Sequence, residues 1–78
     1  MKLYGYVDEG KPPEAITAIT LAEVTLCATP EELQALSRFL AECADEMVRM
    51  GPTYDHVHFS DRHKEFRSSP HFVVAAAE

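Results

Sequence analysis

Tryptophan is absent from this chain, glycine occurs 3 times, cysteine twice, and 7 basic residues stand against 13 acidic ones. Each shortage excludes something. The glycines, Gly5, Gly10 and Gly51, lie too far apart for a phosphate-cradling loop or a Gly-x-Ser-x-Gly nucleophile elbow. Two cysteines cannot staple a disulfide framework, and no Cys-x-x-Cys, His-Glu-x-x-His or calcium-loop pattern occurs. Cys43, and Cys27 with it, are read as reduced thiols serving as small hydrophobes in regular elements. A net charge of −6 supplies no positive footprint for nucleic acid or an anionic membrane. No apolar run is long enough to span a bilayer, and Met1-Lys2-Leu3 leads into a strand-like segment with polar interruptions rather than a signal peptide. A cytoplasmic location is expected.

What remains is ordinary globular composition, 46% hydrophobic over 78 residues. That implies a single α+β domain over 1–78, whose small core gives only modest stability and for which dimerisation is a natural supplement. The clearest segment runs from Thr29 to Met50. Thr29 reads as an N-cap, Pro30 as the first helical residue and Glu32 as the partner in a capping box. Leu33, Leu36, Leu40, Cys43, Met47 and Met50 recur at spacings of three and four, which predicts a helix with that stripe facing the core. On that phase Leu36 and Leu40 are both core residues. Gly51 and Pro52 end the helix.

On either side of the helix the pattern is that of strands. Leu3 to Val7 alternates weakly, with Tyr4 and Tyr6 on one side, and Asp8 to Glu14 is a turn by composition. Ala15 to Ala28 is rich in β-branched residues, its surest strand being Ala22 to Ala28 with Val24 and Leu26 facing the helix. Tyr54 to Ser60 sends Val57 and Phe59 one way and His56 and His58 the other. His71 to Ala76 places Phe72, Val74 and Ala76 on one face. If these last two strands form an antiparallel hairpin, opposing Phe59 to Phe72 also opposes Val57 to Val74, and a one-residue slip would break both pairs. The expected architecture is a ββαββ two-layer sandwich, a mainly antiparallel four-stranded sheet with one helix, about 30–50, on one face. The other face would carry Tyr4, Tyr6, Thr25, His56, His58, Val73 and Ala75. It would either be an interaction surface for a second copy or another partner, or be covered normally by such side chains.

Among candidate sites the sharpest is Asp55-His56-Val57-His58-Phe59-Ser60-Asp61. His56 and His58 on one strand face lie within reach of one metal ion, with Asp61, His63 or His71 as a third ligand; alternatively the two histidines simply cover an exposed strand. No cofactor pattern and no convincing pairing of nucleophile and base is present, so an enzyme is not expected. On the helix's outer side Glu31, Glu42, Asp45 and Glu46 form an acidic ridge. Arg62, His63, Lys64 and Arg67 make the 61–70 loop locally basic, and Phe66 within it should tuck against the core. The ridge is either a solvated face or a surface that steers a basic partner.

Several stretches together resemble the immunity protein 32 family of bacterial immunity proteins. They are Thr29-Pro30-Glu31-Glu32-Leu33, the Phe39-Leu40…Cys43-Ala44…Met47 helix, Asp55-His56-Val57-His58-Phe59, and the closing Phe72-Val73-Val74. The likeness runs from about Lys2 to Ala76. It implies a small α+β protein that protects the producing cell by binding and blocking a cognate toxin, often a basic nuclease, whose polyanionic substrate an acidic protein can displace. No binding residue transfers directly from the family. The nominees for partner contact are Glu42, Asp45 and Glu46 on the ridge, and Tyr4, Tyr6, His56 and His58 on the sheet face. The alternative is a small housekeeping or metal-responsive domain, homodimeric or not, working through His56 and His58.

Overall fold

The longest element of the computed structural model, which describes residues 1–7, 10, 12 and 17–77, is the helix α1, Pro30–Met50. Its start follows the expected chemistry. The Thr29 hydroxyl accepts from the Glu32 amide at 3.2 Å, and the Glu32 carboxylate accepts from the Thr29 amide at 2.8 Å. Two amides that the first turn would leave without partners are thereby satisfied. At the other end Gly51 turns to φ +58 and ψ −132, a conformation closed to residues with a Cβ, and donates its N–H to the Met47 carbonyl. Pro52 follows in a single 3-10 turn, Gly51–Thr53.

The helix's buried face differs from the leucine stripe. Ala35, Phe39 and Cys43 are its buried residues, with Leu36 and Met47 half-buried at the margins. Leu33 and Leu40 are 47% and 44% exposed, and Met50 is also exposed, whereas Phe39 is fully enclosed. At roughly 100° per residue, Leu40 and Leu33 lie about 100° and 120° around the helix from Phe39, both on the same side. The largest side chain sets the rotation. Turning Phe39 inward brings in Ala35 and Cys43, one turn before and after, and leaves Leu33 and Leu40 together on one exposed flank.

The expected four-stranded sheet is not formed. Strands β1, His56–His58, and β2, Val73–Ala75, make a two-stranded antiparallel sheet in the register anticipated, with Val57 opposite Val74 and the Phe59 amide donating to the Phe72 carbonyl at 2.8 Å. Both strands are shorter than the alternating patterns that announced them. Leu3 to Val7 and Ala22 to Ala28 are not strands. Between the N-terminal segments there is one isolated antiparallel bridge, Gly5 to Ile19, closed by the Ile19 amide donating to the Gly5 carbonyl at 2.9 Å. Leu21 packs there against the bare Gly5 backbone, where a Cβ would lie 2.9 Å from its methyl carbon. The 8–14 turn falls largely, and Ala15 and Ile16 wholly, outside the described residues.

The physical reason lies in what covers α1. After β1 the chain makes two 3-10 turns, Phe59–Asp61 and Lys64–Phe66, and these fold aromatic side chains under the helix. Phe59 is the hub: its ring centroid lies 4.9 Å from Phe39, 4.2 Å from Phe66 and 6.5 Å from Phe72. Leu36, Val57, Phe66, Phe72 and Val74 complete the cluster around Ala35, Phe39, Cys43 and Phe59. With that face filled from the C-terminal side, Val24 and Leu26 have no apolar surface to pack on and are 53% and 55% exposed. β-Branched composition gives a strand only where a neighbour and a buried face await it.

Candidate functional site

Two surfaces carry the polar side chains that the sequence singled out. The first is the margin of the buried face of α1, where the structure places Glu42 and Glu46, and not on the outer side expected. Glu42 and Glu46, one turn apart, both reach Arg62 from the turn after β1. Arg62 Nη1 donates to Glu42 at 3.3 Å and Nη2 to Glu46 at 2.8 Å. The guanidinium carbon also lies 6.0 Å from the Phe39 ring centroid, so Arg62 roofs the core while it offsets part of the ridge's charge. The hydrogen bond from Arg62 holds the Glu46 carboxyl below the usual carboxylate range, and the same contact raises Arg62. Acidic helix and basic loop, read from the sequence as separate features, are thus partly one ion-paired unit.

The second surface is the exposed face of the two-stranded sheet. His56 and His58 share it, as alternation required, with ring centroids 5.2 Å apart. Cross-strand pairing sets Ala75 opposite His56 and Val73 opposite His58. His71 joins them: its Nδ1 lies 3.1 Å from His58 Nδ1, a hydrogen bond that needs one proton between the two nitrogens. Asp55 Oδ2 lies 2.7 Å from His56 Nδ1 and orients that ring. The other candidate ligands are engaged elsewhere. Asp61 accepts the His58 backbone N–H at 3.3 Å, while His63 packs on Phe59 at 4.8 Å and faces Glu65 at 3.6 Å. Among the described residues no group of three or more His, Cys, Asp or Glu side chains is placed to hold a metal ion.

Tyr4 and Tyr6 do not share this face, because the strand meant to place them there is missing; both are exposed on the N-terminal segment. Cys27 is exposed and so is not the small core residue expected, whereas Cys43 is 1% exposed under the helix. One partnership escaped sequence reading: Arg62 lies 20 and 16 positions from Glu42 and Glu46, and complementary charge only hinted at it. Of the three residues offered to join His56 and His58, His71, 13 positions from His58, is the one whose ring reaches them. Tyr54, read as the entry to a strand, is instead buried and donates its hydroxyl to the Val74 carbonyl at 2.9 Å. Burial, reinforced by the neighbouring Cys43 thiol, pushes its phenol up to about 12.

No helix among the described residues is long and apolar enough to cross a membrane. The arrangement offers charged and aromatic surface for contact. No curated protein and no solved structure matches the chain significantly. The immunity protein 32 family does match, over residues 23–76, which takes in α1, both strands and every core residue described above. On that match the chain belongs to the immunity protein 32 family.

Proposed function

We propose that this protein neutralises a cognate bacterial toxin by binding it directly, with no chemistry of its own. The observation that carries the reading is the family match over 23–76. The charge pattern supports it: a chain of net charge −6 with Glu42, Asp45 and Glu46 on one helix face is suited to meet a basic protein and to speed its approach. His56 and His58 on the sheet face, and Tyr4 and Tyr6 on the N-terminal segment, are the further contact candidates.

The test is capture of the toxin encoded by the neighbouring gene, at low and high salt. Asp45→Lys, followed by the triple reversal of Glu42, Asp45 and Glu46 to Lys, is expected to weaken capture by tenfold or more, with helix content checked by circular dichroism. Capture unchanged by the triple reversal would remove the ridge from the interface. Failure of the unaltered protein to bind the neighbouring gene product would remove the toxin reading itself.

A second reading, metal-dependent function through His56 and His58, draws its support from the His58–His71 pair. Two nitrogens bound to one zinc ion at about 2.0–2.1 Å stand roughly 3.3 Å apart in a tetrahedral site, close to the spacing of that pair. Saturating zinc should then raise the melting temperature of the unaltered protein and not that of the His56→Ala/His58→Ala variant. Identical curves for the two proteins would dispose of it.

A further inference from the structure

Among the described residues, the N-terminal quarter of the chain contributes no side chain to the buried core, whose residues begin at Ala35. Leu3, Tyr4, Tyr6, Ile19, Val24 and Leu26 are all exposed. Whole-molecule dimensions show the same imbalance. The accessible surface is 6655 Å², against about 4,700 Å² for a compact monomer of this mass. The radius of gyration is 13.7 Å, against about 11.5 Å for a compact chain of this length. The surplus of roughly 1,900 Å² exceeds the approximately 800 Å² that each partner buries in a stable interface.

We infer that this surplus is covered by a second copy of the chain, the segment Thr20–Ala28 of one copy lying antiparallel to the same segment of the other about a two-fold axis. Three observations favour a second copy over a basic partner. First, Thr17 to Ala28 contains a single charged residue, Glu23, so it offers a basic protein little attraction. For two chains of net charge −6 it is a place to meet that brings only one pair of like charges together, the two Glu23 carboxylates beside the axis. Second, among the described residues the Ile19 amide is alone in 17–28 in donating a backbone hydrogen bond. Among the described residues no backbone amide or carbonyl of Thr20 to Ala28 is in a backbone hydrogen bond, so an identical segment can pair with it reciprocally. Third, an open groove of about 380 Å³ lined by Met1, Leu3 and 21–24 provides a seat for the partner copy's Leu26 side chain. The inference concerns the free protein and does not depend on toxin binding.

Sedimentation equilibrium of the full chain, without toxin and across a wide range of concentration, tests it. The expected mass is twice 8.7 kDa, falling to 8.7 kDa in Val24→Asp and in Leu26→Asp. Both positions are exposed and outside the core, so helix content should not change; circular dichroism at the same concentrations checks this. A free chain that stays at 8.7 kDa throughout overturns the proposal, including the case in which the segment is covered only once toxin is added. A dimer that survives both substitutions overturns it equally, because the copies then meet elsewhere. Toxin capture by the two variants is read separately, so loss of the dimer and loss of toxin binding remain distinct results.

Discussion

The Tyr54 hydroxyl ties the turn after α1 to the second strand, donating to Val74 across 20 positions of sequence. Removing it with Tyr54→Phe takes away one of the two hydrogen bonds to that carbonyl, the ladder bond from Val57 remaining, and should cost about 0.5–1.5 kcal/mol in urea denaturation at neutral pH. The raised phenol adds a pH signature. Because the folded state holds the proton more tightly than the unfolded chain, the group stabilises the fold fully below pH 10, its ordinary value, and loses that contribution as pH rises through about 12. Unfolding free energy measured through this window should fall more steeply for the native protein than for Tyr54→Phe. Equal slopes would mean that Tyr54 is not sealed from water as described. His71 makes the same point about long-range partners: it adds an imidazole to the His56/His58 face only because the hairpin register carries it there.

The helix α1 shows what its sequence disclosed and what it hid. Its ends were legible because capping is local: Thr29, Glu32 and Gly51 act on backbone groups within four residues of themselves. Its rotation was not, since the leucines outnumber the one phenylalanine that decides it. Phe39→Ala should therefore cost about 3–5 kcal/mol, comparable with the whole stability of a domain this small. Leu40→Ala should cost well under half as much, since that side chain is 44% exposed. Chemical denaturation of the two variants separates the phases; a larger loss at Leu40 would restore the leucine stripe. The hairpin register was readable for a different reason, two apolar alternations that match in only one alignment. The N-terminal strands were misread because Ile19, Thr20, Val24 and Thr25 carry β-propensity, and propensity says nothing of whether a partner strand is at hand.

Taken as a whole, the molecule divides into a C-terminal part that is cored and an N-terminal part that is not. Family membership follows the same division, beginning at residue 23 and covering all of the core. Its acidity is uneven too. The ridge that would greet a basic toxin already holds a guanidinium, that of Arg62, against Glu42 and Glu46. An arginine or lysine arriving from outside therefore enters an exchange of one cation for another and not a vacancy. What such an exchange gains in holding strength is small, and the long-range field is set by the net charge of −6, in which Arg62 is already counted. Arg62 is in this sense an internal counterion: it offsets one of the two carboxylates it touches while its guanidinium stays over Phe39.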